Sequence, residues 1–351
     1  MIEISNSIPK VNQEFPFREA HNLVRDLMTP NPLIYWLDFL FHISLGWVAF
    51  VMLLLIPLFS AWQFVVFIIA VLAHYRAAIF IHELAHLKKG TFKIFRLVWN
   101  LTSGIPLLIP SFTYDGVHYD HHKPDVYGTS EDGEYIPFAT NNPILMVGYV
   151  LFSIFLPIIF LSRYLLLTPI SYMVPPLRKF CWERASSLTI NPTYKRPKDC
   201  IRNDKYWQLQ EFSTFVFATT VITCVILEIL PFKVLVLWYL VGTAIFLLNS
   251  LRTLSAHAYR NPGNRKMGFI EQYLDSNNIP GNLFITALWA PVGLRYHATH
   301  HLFMSMPYHN LGKAQRRLMS GLSDNTLYQN TIRKSMWDAL HSIWSEASKS
   351  H

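Results

Sequence analysis

Apolar positions along this chain fall in long runs, not in the alternating or three-to-four spacing of soluble elements. Residues 40–59 and 62–81 are each apolar for about 20 positions, the length a helix needs to cross a bilayer. The link between them is short and uncharged, so they predict a helical hairpin that returns to its starting side at His82. Residues 211–230 and 234–253 predict a second hairpin, turned at Pro231-Phe232-Lys233. Residues 92–110 are apolar but broken by Gly104, Pro106 and Pro110, which fits a re-entrant or interface-lying segment. Residues 143–177 are apolar, with five prolines and one charge, Arg163. A single crossing there would carry 178–208, with eight Lys/Arg against three acids, to the far side. Positive loops stay cytoplasmic, so this stretch is expected to lie in the interface or to enter and leave one face.

The resulting expectation is an all-α membrane protein. It has four transmembrane helices in two hairpins, interfacial helices and a cytoplasmic cap. Residues 1–32 form a cytoplasmic N-terminal segment, 33–320 the membrane unit and 321–351 a cytoplasmic C-terminal tail. Both termini are expected on the cytoplasmic side of a multi-pass protein.

Composition agrees. Of 351 residues 52% are hydrophobic and 15% charged, against about 25% charged in soluble domains. The net charge of +8 sits beside apolar runs, which points to membrane orientation and not to nucleic acid. Cys181, Cys200 and Cys224 are too widely spaced for a disulfide scaffold or a cysteine zinc module. The first thirty residues lack an apolar core segment, so no cleavable signal peptide is expected.

The chemistry lies in the histidines. His82-Glu-Leu-Ala-His86 places two imidazoles on one helix face at the end of the second span, with Lys88-Lys89-Gly90 as a helix stop. His118-Tyr-Asp-His121-His122 and His297-Ala-Thr-His300-His301 share a second spacing. In it the first histidine faces both of the others, while those two diverge by about 100°. Such a box can serve two metal ions at once. His257 ends the fourth span as His82 ends the second, so topology alone brings it to the same face. Nine imidazoles suit two metal ions with four or five each, and a redox pair better than a hydrolytic zinc. Glu83 and Asp120 are expected to hold imidazole tautomers, and His309 to be a ligand or such a support. No catalytic side chain beyond the metal ligands is expected.

His82-Glu83-Leu-Ala-His86 is also a literal HExxH, the zinc-peptidase pattern with Glu83 as base, but that reading leaves both HxxHH boxes unexplained. Glu83-Leu-Ala-His86 is equally an ExxH, yet the chain lacks the second ExxH of soluble diiron bundles. A non-catalytic metal-binding or transport protein is a further alternative.

HELAH, HYDHH and HATHH, in this order and on one predicted face, resemble the three boxes of the integral-membrane fatty acid desaturase superfamily, which includes hydroxylases and carotenoid ketolases. The likeness covers roughly 35–320. It implies two iron ions as cofactor and O2 as co-substrate. His82, His86, His118, His121, His122, His297, His300 and His301 would be the ligands, with His257 the natural ninth. Some members carry an Asn one turn before that last ligand; here Thr253 stands there and Asn249 two turns back. HHLFMSMPYHNLGKA is similar to the stretch after the third box of acyl-lipid desaturases. The resemblance implies an O2-dependent acyl-lipid desaturase, with a hydroxylase or ketolase as the alternative on the same scaffold. No HPGG haem motif is present, so a separate electron donor (ferredoxin, cytochrome b5 or similar) is expected, with a lipid or acyl-chain substrate and no nucleic-acid partner. Lys/Arg near 178–205 and at Arg316-Arg317 are candidate docking positions for an acidic donor.

Overall fold

A computed structural model describes residues 15–57, 59–87, 90–197, 205–263 and 265–350. Residues 1–14, Lys88, Lys89, Lys198, Cys200 and Arg202 lie outside the described set. The described residues are helical, with isolated bridges but no strand.

The first hairpin joins Pro32–Leu55 to Ala61–His86. Asn31 and Ser60 cap the two starts, their side chains accepting from Leu33 N and Gln63 N, and Pro32 occupies the first helical position. The first helix thus starts well before residue 40. Asp38, a charge inside it, is held by the Arg76 fork at 2.7 and 2.5 Å. The second helix runs past residue 81 to carry His82 and His86, as expected. The second hairpin joins Lys205–Ile226 to Lys233–Ala256, and His257 is the residue that ends it. Lys233 Nζ donates to Leu54 O (3.0 Å) and Ile56 O (2.9 Å), so both hairpin turns meet at one end and the histidines gather at the other.

The 92–110 segment is a bent plug. Lys93–Trp99 continues into a wide turn over Asn100–Gly104 and then unwinds to Pro110. Three indoles fix it: Trp99 donates to Ala77 O, Trp47 to Thr102 O and Trp238 to Pro106 O, at 2.8 to 2.9 Å. Irregular backbone is tolerated at membrane depth when protein satisfies it in this way. Gly104 is required here, because a Cβ would stand 2.6 Å from Trp99 Cζ3.

Residues 143–177 are kinked, and the chain after them, at Leu188 and Asn191, bonds to Thr113 and Asp132 on the histidine side. The kinked stretch contains Ile144–Phe152 and then a helical run, Leu156–Met173, that is long and apolar enough to cross a membrane. Among the described residues five helices meet that length and composition, the four of the two hairpins and this one. Arg163 within the fifth does not break it, because Glu211 of the neighbouring helix receives its guanidinium at 2.5 Å and that of Arg178 at 2.6 Å. Several apolar helices of this length make a multi-pass membrane protein.

Around the histidine end lies a polar cap. Phe17–Val24 packs on Tyr308–Gly321 through Ala20, Val24, Leu311 and Leu318. Met336–Ser350 docks by Ile343 onto Tyr127, Phe138 and Tyr259, with Arg260 and Glu346 forming a two-bond ion pair at 2.7 Å.

Candidate metal centre

Four elements deliver nine histidines to one buried spot. His82 and His86 come from the end of the long second helix. His118 and His121 sit on the short helix Val117–His121, with His122 ending it. That helix starts after Gly116 at φ 82°, a conformation glycine adopts readily. His297, His300 and His301 sit on His297–Leu302, and His257 follows Lys233–Ala256.

The boxes interleave. One ring nitrogen each from His82, His86, His118 and His300 lies within 4.8 Å of the others; so do those of His121, His257, His297 and His301. His122 Nε2 stands 3.1 Å from both His118 Nε2 and His300 Nε2, so it joins the first group as a fifth donor. Each HxxHH box feeds both groups, as helical geometry requires.

The Nδ1 contacts identify the proton positions. His118 Nδ1 donates to Glu134 Oε1 and His121 Nδ1 to Asp132 Oδ2, both at 2.9 Å. His257 Nδ1 donates to Tyr127 OH at 2.8 Å, since that hydroxyl donates its own proton to Asp275 Oδ2 at 3.0 Å. A neutral imidazole that donates at Nδ1 has a bare lone pair at Nε2. His257 therefore presents a lone pair at Nε2, which stands 3.3 Å from His121 Nε2. His82 has no hydrogen-bond partner at either ring nitrogen, and neither has His86 at Nε2, although all three atoms are buried. Buried lone pairs aimed at one another are unfavourable unless a cation lies among them. The donor set fits two metal ions with five and four imidazoles.

Burial and neighbouring imidazoles hold His118, His122, His257, His297, His300 and His301 well below the ordinary histidine range, so these rings are neutral at pH 7 and present lone pairs. His121 is the exception: burial pulls it down, but Asp132 raises it further. Burial pushes Glu134 up to about 7 and Asp275 to about 6.

Of the expected supports, Glu83 is buried and accepts from Tyr35 OH and from Tyr308 N–H (3.2 Å); its other oxygen is 3.7 Å from His82 Nδ1. It is thus committed to the protein, which deprives the peptidase reading of a free base. Asp120 turns outward to Lys123 Nζ (2.6 Å), because on a helix the residue before His121 points about 100° away from it. His309 accepts from Asn31 N–H (3.1 Å) at the start of the first long helix and does not join the cluster. The partners that do hold the rings, Asp132, Glu134 and Tyr127, were not singled out from sequence. Their signal is the acidic Glu131-Asp-Gly-Glu134 stretch ten residues past the second box. Asp132 is fully buried and its carboxylate also accepts from Gly128 N and Glu134 N.

A cavity of about 220 Å³ reaches the centre at His82. Apolar Phe152, Leu156, Phe160 and Phe246 line it, together with Glu134 and Arg252.

The family described as fatty acid desaturase matches residues 60–333. The chain is 38% identical to a ceramide hydroxylase of Caulobacter vibrioides (strain NA1000 / CB15N) over 336 residues, covering 93% of this chain and 92% of that one. No solved structure matches it. With the three histidine boxes converging as that family's diiron chemistry requires, the chain belongs to the integral-membrane fatty acid desaturase superfamily.

Proposed function

We propose that this chain is an O2-dependent membrane oxidoreductase that hydroxylates an acyl lipid of the ceramide class. Two iron ions would be held by His82, His86, His118, His122 and His300 on one side and by His121, His257, His297 and His301 on the other. The observation that carries the reading is that His82 belongs both to the histidine cluster and to the wall of the apolar cavity. The lipid class rests on identity with the ceramide hydroxylase along nearly the whole of both chains.

Bound iron supplies the dioxygen chemistry that breaks an unactivated methylene C–H bond, which no side chain can do. The residues prepare for it. Asp132 and Glu134 hold the Nδ1 protons of His121 and His118, which aims the Nε2 lone pairs inward. Phe152, Leu156 and Phe160 receive an acyl chain beside the histidines. One O2, two electrons and two protons convert C–H to C–OH and release one water. The electrons come from a separate acidic carrier such as a ferredoxin, or from a cytochrome b5. Positive flanks put the histidines and both termini in the cytoplasm. Residues 33–320 form the membrane unit, and 321–351 a segment docked on its cytoplasmic face.

Desaturation is the second reading, favoured by the family match and by the His-Leu-Phe stretch after the third box. A sub-ångström change in substrate placement separates the two outcomes. Lipid mass spectrometry of a host making the chain or its His300→Ala variant, with and without O2, tests both. Products one oxygen atom heavier that need O2 and His300 support hydroxylation; products two hydrogens lighter replace it with desaturation. No O2-dependent product from iron-loaded protein supplied with a donor would sink both.

A further inference from the structure

Arg252 lies on the helix Lys233–Ala256, five residues before His257, and lines both the apolar cavity and the small space bounded by His82, His118, His257 and His297. Its fork is only partly used: Nη2 donates to Asn249 Oδ1 at 2.9 Å, and Tyr75 OH takes a further share. Nε is shielded and has no acceptor. Among the described residues Arg252 forms no ion pair. Glu134, in the same cavity, is already bonded to His118 and Tyr114. An incompletely satisfied arginine inside a membrane helix is costly to keep, and its usual role is to meet a ligand.

The cavity's shape says which part of a ligand it meets. Glu134, bonded to His118, and Arg252, beside His82 and His257, stand at the metal centre, whereas Phe152, also in the wall, is 53% exposed at the surface. A lipid entering there leaves its hydrocarbon towards the bilayer and puts its polar group beside the histidines. Arg252 and His82 line the same cavity of about 220 Å³ and also the small space bounded by His118, His257 and His297. The path from Arg252 to the carbon beside His82 is therefore short.

We propose that Arg252 binds a carbonyl-type oxygen of the lipid, so that the carbon oxidised lies close to that group and not in mid-chain. The amide of a ceramide and the carboxylate of a free fatty acid both present such an oxygen. In the reaction a C–H bond close to the carbonyl breaks and a C–O bond forms; O2 is reduced to that hydroxyl and one water by two electrons and two protons from the separate donor. This rests on the hydroxylase reading above.

The test uses the full, iron-loaded enzyme in nanodiscs with its electron donor. Substrates are N-hexadecanoyl-sphinganine, hexadecanoic acid and N-hexadecyl-sphinganine, which lacks the carbonyl. The expected product carries its oxygen in the part of the chain next to the carbonyl, located by fragmentation. Arg252→Gln is expected to raise KM about tenfold or more for the carbonyl-bearing substrate that is turned over, with kcat within about threefold and iron content unchanged. Arg252→Lys recovers part of the loss, and KM for N-hexadecyl-sphinganine does not move. Turnover of the ceramide or of the acid says which source the carbonyl has. Mid-chain oxidation, or an unchanged KM in Arg252→Gln, overturns this proposal and leaves the hydroxylase reading standing; no oxidised lipid at all overturns both. The position of oxygen in the wild-type product needs no variant, so it decides the matter even if Arg252→Gln folds poorly.

Discussion

The Asp132 carboxylate accepts the Nδ1 proton of His121 at 2.9 Å, and the same carboxylate receives the backbone N–H groups of Gly128 and Glu134. One buried acid thus orients a ring of the metal centre and closes the loop that contains it. Asp132→Asn keeps the shape but replaces a charged acceptor. Partners of this kind are worth about ten- to a hundredfold in metal affinity. Iron retention against a graded chelator is expected to fall by that amount in Asp132→Asn. Retention equal to wild type would mean that the contact only closes the loop.

His122 and His309 lie close to similar box sequences but do different work. His122 Nε2 is 3.1 Å from His118 and His300, whereas His309 caps the start of the first long helix through Asn31. His122→Ala is expected to lower iron below two per chain, with loss of lipid oxidation. His309→Ala is expected to retain iron and cost about 1 kcal/mol of stability. Metal analysis beside thermal unfolding separates them, and equal iron loss in both variants would refute the distinction.

Most of this centre was legible because it depends on short-range spacing. An i, i+4 pair and two HxxHH boxes specify faces of helices, and the apolar runs specify which ends meet. Asp132 was not legible, because its position depends on Asn191, whose side chain holds the Asp132 carbonyl at 2.9 Å from far along the chain. Asp120 was misjudged for the opposite reason: adjacency in sequence on a helix puts it on the wrong side. Arg163 interrupts the apolar helical run Leu156–Met173 in the sequence, and Asp38 the start of the first long helix. Each charge reads as a break in an apolar run, but Glu211 and Arg76 neutralise them in the fold.

Lys233 joins the two hairpin turns through Leu54 O and Ile56 O. Its removal leaves two carbonyls at the end of the first helix short of a donor, at about 1–3 kcal/mol. Lys233→Met is expected to lower the unfolding temperature while leaving iron content unchanged, because the histidines lie at the other end. Loss of iron in this variant would contradict the separation of the two ends.

The docking of Met336–Ser350 is expected to depend on pH through Glu346. Burial alone would raise this carboxyl, but the Arg260 fork overcomes it and holds the group below the usual glutamate value. An acid with a lowered folded pKa stabilises above its unfolded value, about 4.3, and loses that contribution as pH falls through the folded value. Amide protection of the C-terminal helix is therefore expected to be steady from pH 7 to about 5 and to drop below about pH 4. In Arg260→Gln the helix starts less protected at pH 7 and falls less on acidification, since no favourable ion pair remains to be protonated. Hydrogen exchange at both pH values in wild type and variant reads this directly. Equal protection in the two proteins at pH 7 would mean that Ile343 and its aromatic neighbours hold the helix without the pair.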